Sequence, residues 1–381
     1  MMRSVPALIV GGGPAGAAAA IMLGRAGVTA HLVDRHAGPH DSVCGGFLGW
    51  DALAELDVLG VDVAALGARP IERLRLVAGE HRVELALPHR AAGLSRRVLD
   101  EALIGLAEDA GAVLMRGRAV RAADPAGRSV RFDDGEQWAG EALFLATGKH
   151  ELRGLARDLG GRKEAPSAGL RAVLPASAVR SRDLAGMIEL HLFDGGYAGL
   201  LLQEDGTANL CLSVDRERLG QGVAPLMAQI MAEAPCLAER MEGDIPANFE
   251  AVAGVPYGWR ADSTLPGIFR MGDQGAVIAS LAGDGIAIAL SSGMSAAQAY
   301  LSGGPDAAMD WQSEMRRRSR RPLGVAEALR HGAAGPVGRG LLMQLLRWMP
   351  GLGAQAALLT RVSARHTGGR KSGARSARHP G

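Results

Sequence analysis

Six residues near the amino end, Gly11-Gly12-Gly13-Pro14-Ala15-Gly16, constrain the chain more than any other stretch. They follow the apolar run Ala7-Leu8-Ile9-Val10 and open the alanine-rich segment Pro14 to Ala26, which Gly27 closes. A short, fully apolar run suits a strand buried on both faces of a parallel sheet, and the glycine after the alanine-rich segment is a helix stop. Between them the pattern is G-x-G-x-x-G. Gly11 permits the tight turn, Gly13 lets a pyrophosphate approach the backbone, and Gly16 allows the helix to pack close to the strand. The helix start at Pro14 and Ala15 presents oriented N–H groups and a positive dipole. Val28 to Val33 reads as the next strand and ends in Asp34, 18 residues beyond Gly16, where a carboxylate accepts from ribose hydroxyls. A glycine-rich loop without a ligand is the plainer alternative; strand, helix and acid in register favour a dinucleotide.

That unit does not separate a nicotinamide from a flavin dinucleotide, but two later segments do. Ile268 to Met271 is a short strand running into Gly272-Asp273, where a carboxylate can bind a ribitol hydroxyl. Ten residues on, Gly283-Asp284-Gly285-Ile286 opens an apolar helix whose amino-terminal amides can face a flavin pyrimidine edge and hold negative charge there. An ordinary strand–helix unit with an exposed Asp is the competing reading.

Composition narrows the rest. Of 381 residues 48% are hydrophobic and 22% charged, which excludes disorder over most of the length. Glycine, at 54 residues, has no Gly-X-Y period, so the excess reports tight turns and not collagen. Aromatics are only 4%, a poor supply of stacking platforms, so no nucleic-acid partner is expected. Cys44, Cys211 and Cys236 lie far apart with no CxxC, which argues against a disulfide framework, a zinc site or a dithiol pair. Sparse cysteine and the lack of any apolar run of about 18 residues point to a cytoplasmic protein without a membrane span. The net charge of +2 hides an asymmetry: no acid follows Glu327, whereas nine Lys or Arg do.

Along the chain, residues 71–77 and 81–87 alternate polar and apolar around Ala78-Gly79-Glu80, a hairpin pattern. A helix is predicted from Arg96 to Ala110, then two or three strands up to Trp138 and an apolar run, Ala142 to Ala146, ending in Thr147-Gly148. Residues 170–255 read as strand-rich, with one helical stretch near Val223–Glu242. The chain beyond Pro305 reads as helical to about Thr360. The expected fold is α/β: a doubly wound, Rossmann-like domain (1–70, 89–165 and 252–303), a mostly antiparallel β-sheet domain (71–88 and 166–251), C-terminal helices (304–365) and a disordered basic tail (366–381). His31, His36 and His40 read as loop residues and not ligands. Arg316-Arg317-Arg318 with Arg320-Arg321 reads as a solvated charge run following a helix. Leu341 to Leu359, apolar with Arg347 as its one charge, reads either as a helix pair closing over the substrate domain or as a peripheral contact with an anionic membrane surface.

The glycine motif, Cys44-Gly45-Gly46-Phe47-Leu48, Ser95-Arg96-Arg97-Val98-Leu99-Asp100, Ala146-Thr147-Gly148 and the run Gly272 to Gly293 together resemble one family. They are similar to FAD-dependent oxidoreductases of the p-hydroxybenzoate-hydroxylase type, nearest the geranylgeranyl-reductase-like branch, over roughly residues 5–300. The resemblance implies that Gly11, Gly13 and Gly16 hold the pyrophosphate and Asp34, with Arg35 beside it, the adenosine ribose. It implies that Arg96 lies beside the dinucleotide, Val120 touches adenine, and Thr147 and Gly148 line the adenosine half. Gly272-Asp273 would bind ribitol, Gly283, Gly285 and Ile286 would reach the isoalloxazine, and the loop of Cys44, Gly45 and Gly46 would lie near the ring.

Three features depart from the family. Gln274 stands where the family often has Ala, and Ser280-Leu281-Ala282 replace a common Pro. Gly196 to Leu202 replaces the Tyr-x-Trp-x-Phe-Pro stretch of typical geranylgeranyl reductases, which bears on the substrate and leaves FAD untouched. Cys44 is either a reactive thiol beside the flavin or a small packing residue, and Tyr197 faces either the substrate or the core. There is no second strand–GxGxxG–helix, so a nicotinamide donor, NAD(P)H, would dock transiently. These features give a flavoenzyme moving hydride to or from an apolar, polyketide- or isoprenoid-like small molecule. Two alternatives stand beside it: an NAD(P)H-dependent FAD monooxygenase of phenolic or polyketide rings, and a non-catalytic nucleotide-binding protein with a basic tail.

Overall fold

The computed structural model describes residues 3–160, 166–243 and 245–362; the tail expected over 366–381 lies outside the described residues. The first strand, β1 (Arg3–Val10), pairs in parallel with β2 (Ala30–Val33) on one side and β9 (Gln137–Leu145) on the other. β6 (Val113–Met115) extends the parallel set beyond β2, and β15 (Ile268–Arg270) pairs in parallel with β9. An antiparallel pair, β7 (Val120–Asp124) and β8 (Ser129–Phe132), completes this seven-stranded sheet.

In β1, Ala7 and Ile9 pack towards the helices while Leu8 and Val10 pack into the cluster on the other face. All four are buried, the reason the run is unbroken by polar residues. Three helices cover the first of these faces: α1 (Pro14–Arg25), α3 (Arg96–Asp109) and α7 (Gly285–Gly303). The alanines of α1 let it approach α7, where a side chain on Gly293 would strike the Ala15 backbone. The opposite face is filled by Val130, Phe132, Trp138, Leu152 and Leu155.

The second sheet has eight strands in the order β14-β10-β13-β12-β11-β4-β5-β3. These are β3 (Phe47–Leu48), β4 (Arg69–Ala78), β5 (His81–Gly93), β10 (Ser167–Leu174), β11 (Met187–Phe193), β12 (Gly196–Leu202), β13 (Ala208–Asp215) and β14 (Glu250–Val255). All neighbours are antiparallel except β4 and β11. The expected hairpin is present and longer than its alternating core. Where one helical stretch is expected near Val223–Glu242, Pro235 starts a second helix, giving α5 (Val223–Glu233) and α6 (Pro235–Met241). A short helix, α4 (Ala178–Asp183), precedes β11, and α2 (Trp50–Leu59) follows β3.

The carboxyl end forms α8 (Ala307–Ala334), α9 (Pro336–Trp348) and α10 (Gly351–Leu359). Arg316 to Arg321 lie inside α8, correcting the reading that they follow a helix; Arg317 and Arg318 pair with Glu314 one turn back. His31 is likewise not a loop residue: it is buried in β2, edge-on to Trp138 at 5.5 Å. No helix among the described residues is long and apolar enough to cross a membrane.

One ionic network pins α6 to the second sheet. Side chains alternate along β11, so Ile188, Leu190 and Leu192 face one way and Glu189 and His191 the other. Glu189 is fully buried and pairs with Arg75 and, at 2.9 Å, with Arg240, which also reaches Asp183 at 2.9 Å. Burial alone would raise its pKa, but hydrogen bonds from His191, Arg240 and Arg75 outweigh it and hold the carboxyl at about 2. Because the folded value lies below the ordinary 4.5, the stability it contributes is full above that value and is lost as pH falls towards 2. Glu189→Ala leaves the buried Arg240 with Asp183 alone and the half-buried Arg75 with Glu84 alone, and should cost about 3 kcal/mol in urea denaturation at neutral pH. The wild type's advantage over the variant should shrink on acidification through that window.

Candidate active site

A single cavity of about 960 Å³ runs from the glycine turn at the start of α1 to the amino end of α7 and on beneath the second sheet. That is the upper end of the roughly 300–1,000 Å³ usual for small-molecule sites. Both glycine turns singled out in the sequence therefore open onto one space.

At the first turn, Gly11 has φ +112°, and a Cβ there would run into the Ala146 carbonyl of β9's exit. Gly16 is excluded from bearing a side chain by the Gly11 carbonyl and Ile9. It packs the helix to the strand and does not line the cavity. Gly13 differs: a Cβ there would meet only the Arg96 Nη2, at 3.2 Å, so the chain itself leaves that space open. Pro14 and Ala15 continue the lining. Asp34 lines the cavity from the end of β2, its Oδ2 accepting from Gly12 N at 3.0 Å and its Oδ1 from His36 N at 2.7 Å. A carboxylate has about four lone-pair sites, so it can lock the loop and still accept from a ligand. Arg35 is exposed at the rim, within 2.8 Å of the His150 ring. His36 and His40 stack face to face at 3.4 Å along the same wall.

Arg96 reaches the first glycine turn because α3 is fixed at its start. Ser95 caps the helix by accepting from Val98 N at 3.2 Å, and Ser95 is itself held by Glu204 through its N and Oγ at 2.9 and 2.6 Å. Asp100, one turn on, grips the Arg96 guanidinium with two hydrogen bonds of 2.8 and 2.6 Å. Burial opposes the charge on Arg96, yet the Asp100 carboxylate outweighs it and holds the pKa above the ordinary arginine value. Val120 lines the same end of the cavity from β7.

Thr147, Gly148, Gly272 and Asp273 line the middle, and two buried residues not singled out as ligands tie these segments together. Gln274, fully buried, donates from Nε2 to Gly148 O at 2.8 Å and His150 O at 2.9 Å. Arg157 donates to Asp273 O at 3.2 Å, to Gly148 O and to Glu151. Arg157→Ala would take this donor from the Asp273 carbonyl and leave Gly148 O to Gln274 alone, at about 1–3 kcal/mol. We expect it to weaken FAD retention by roughly ten- to a hundredfold, read by flavin released on dialysis.

At the far end, Gly283 has φ +74°, and a Cβ there would meet the Phe47 ring at 2.8 Å. Gly283, Gly285 and Ile286 all line the cavity, as do Cys44 and Gly45 from the facing loop; Gly46 turns away. The Cys44 carbonyl is held by Asn209 Nδ2 at 2.9 Å, and its Sγ accepts from Gly46 N at 3.5 Å. Lys149 reaches over this region, 3.4 Å from Asp273 and 3.4 Å from the Val43 carbonyl. Burial disfavours its charge, but the neighbouring acidic groups, Asp273 foremost, together more than offset that and raise its pKa. Arg361, from beyond α10, pairs with the buried Asp284 at the start of α7 and lies 3.8 Å over the Trp50 ring. Burial lowers its pKa to about 10, so the guanidinium stays charged at neutral pH.

Past that end the cavity becomes a chamber walled by aliphatic side chains. The two-residue period brings Leu74 and Leu76 of β4, Leu85 and Leu87 of β5, and Ile188, Leu190 and Leu192 of β11 to one face. Leu342 and Leu346 of α9 and Ala356 and Ala357 of α10 form the facing wall. Its few polar groups converge beside Gly283. Tyr257 Oη lies 2.5 Å from Ser280 Oγ and 3.3 Å from Ser213 Oγ, and Tyr197 lines the chamber next to them. Burial raises the pKa of both tyrosines, Tyr197 well above its ordinary value, so both hold their protons. Cys211, also in the wall, has its thiol pushed up to about 12 by burial and is not a nucleophile.

The residues present fit an extended flavin dinucleotide: an open phosphate turn with a cation beside it, a mid-cavity carboxylate, and a second helix start beside an apolar chamber. Residues 4–142 match the profile of a family described as FAD binding domain. The menaquinone reductase of Mycolicibacterium smegmatis is 28% identical over 344 residues, 84% of this chain and 83% of that protein. A geranylgeranyl bacteriochlorophyll reductase-like structure from Thermoplasma acidophilum superposes with a TM-score of 0.74 at 18% identity, covering 96% of this chain and 94% of that one. PqsL of Pseudomonas aeruginosa, described as a probable FAD-dependent monooxygenase, gives 0.67 at 18% identity over 88% and 98%. Residues 4–142 thus carry the features of an FAD binding domain, and the whole chain shares the fold of these flavin-dependent proteins.

Proposed function

We propose that this enzyme transfers hydride from FAD to an apolar, isoprenoid-bearing small molecule held in the aliphatic chamber, with quinone-like molecules the first class to offer. The observation that carries the reading is the chamber: an aliphatic wall on both sides, with two protonated tyrosines and, among the described residues, no carboxylate pair at its flavin end. The likeness to a menaquinone reductase over 84% of the chain supports the same substrate class.

When bound, FAD supplies the two-electron redox chemistry. The chain's part is positional and electrostatic. Gly13, the α1 amides and Arg96 receive the diphosphate; Asp34 accepts from the adenosine ribose and Asp273 from ribitol. The start of α7 at Gly285 and the Lys149 ammonium stabilise negative charge at the ring. Aliphatic residues exclude water from the acceptor carbon. Hydride delivery leaves the substrate one proton short of neutral, and Tyr257 Oη donates that proton. Ser280 and Tyr197 hold the hydrogen-bond chain through which it is restored. A nicotinamide donor would dock transiently, since the chain has one G-x-G-x-x-G turn and no second.

Monooxygenation is the second reading, favoured by the fold shared with PqsL. Chemically reduced enzyme, kept anaerobic and mixed with an isoprenoid quinone, should be reoxidised while the substrate gains two hydrogens. Reoxidation only on admitting oxygen, with uptake matched to a hydroxylated product, would establish the second reading instead.

A further inference from the structure

α9 is apolar on both sides. Met343 and Leu346 are about 5% and 6% exposed, and Leu342 and Leu346 wall the substrate chamber. Turned the other way, Val337, Leu341, Leu345 and Trp348 follow one another at helical spacing and are between 48% and 82% exposed. Met349, Leu358 and Leu359 extend the same exposed apolar character onto α10. A surface helix that spends large side chains on its solvent side marks an interaction surface.

Charge selects the partner. The last acidic residue of the chain is Glu327. Arg347 is exposed on α9 itself, and Arg365, Arg370, Lys371, Arg375 and Arg378 follow in the sequence. A second copy of this chain would set like charge against like charge. An anionic bilayer complements both the apolar stripe and the cations, with Trp348 at the depth where an indole sits between headgroups and acyl chains. At 13 residues α9 is about 20 Å long, too short to span a bilayer but long enough to lie in its surface.

We propose that the outer face of α9 and α10 docks on an anionic lipid surface, so that one helix layer separates the substrate chamber from the acyl chains that carry an apolar substrate. Docking is read independently of catalysis, and only its purpose rests on the apolar-substrate reading.

The test uses the full-length FAD-loaded protein and two kinds of vesicle: phosphatidylcholine alone, and phosphatidylcholine mixed with phosphatidylglycerol. Sedimentation should carry the protein down with the mixed vesicles, and about 0.5 M salt should weaken this several-fold. Trp348 emission should shift to the blue, and Trp348→Phe should remove that shift. Leu341→Gln/Leu345→Gln/Trp348→Gln should lose at least about tenfold in binding while keeping its flavin absorbance and its turnover of a water-soluble, short-chain quinone. Should that variant fail to fold, Arg347→Glu alone should weaken binding about fivefold or more. Binding untouched by these changes would overturn the proposal. So would a wild type that ignores vesicles but self-associates through this face. Vesicle binding without quinone turnover would keep the docking surface and reject the functional reading.

Discussion

Gly13→Val should give a folded, colourless protein. A Cβ at this position meets nothing of the chain but the tip of Arg96, 3.2 Å away. Its backbone, at φ −73° and ψ −175°, is open to any residue. The fold therefore tolerates a side chain that the diphosphate does not, because the branched group fills the space the phosphate oxygens must enter. We expect thermal unfolding within a few degrees of wild type and FAD affinity reduced by at least about a hundredfold, the loss of two or more charge-assisted hydrogen bonds at about 1.5–3 kcal/mol each. Gly11→Val is the contrasting case: there the same change strikes the Ala146 backbone and should destabilise the protein with or without flavin. Purified Gly13→Val that is yellow and fully loaded would remove the diphosphate from this turn.

Tyr257→Phe should separate binding from chemistry. The phenol is held by Ser280 and Ser213, and burial keeps it protonated. Removing one oxygen leaves the ring in place and takes away the proposed donor. Turnover should fall by about a hundredfold or more, the usual contribution of a placed acid, with FAD content unchanged and KM altered little. Tyr197→Phe should cost less, because Tyr197 acts through Ser280. Equal and small effects of the two changes, each below about threefold, would move the proton donor elsewhere.

How much of this was legible in the sequence follows from distance along the chain. The turn at Gly11 to Gly16, the acid at Asp34 and the helix start at Gly285 announce themselves because each depends on neighbours within one supersecondary unit. The alternation of β4 and β5 was legible for the same reason, since a side chain's face is set by the residue two places away. Gln274 and Arg157 carried no such signal. Their partners Gly148 and Asp273 lie 126 and 116 positions away, and only the closing of the fold around β9 and β15 brings them together. Tyr257 could have been suspected from scarcity, since the chain has three tyrosines, but its pairing with Ser280 exists only in three dimensions. His31 was misjudged although Ala30 and Leu32 flank it in the expected strand, because nothing local shows that Trp138, on β9, covers it. The arginines of α8 were misplaced because a run of like charges reads as a solvated end, whereas the helix carries them on to Ala334.

One FAD should lie through the cavity, its diphosphate at Gly13 and its ring beside Gly285, Tyr257 and the aliphatic chamber. A crystal structure of the FAD-loaded protein measures this directly. The predicted result is diphosphate oxygens within hydrogen-bond reach of the Gly13 turn and Arg96, with the ring edge at the start of α7. A flavin ring lodged outside the chamber, or a diphosphate away from Gly13, would contradict it.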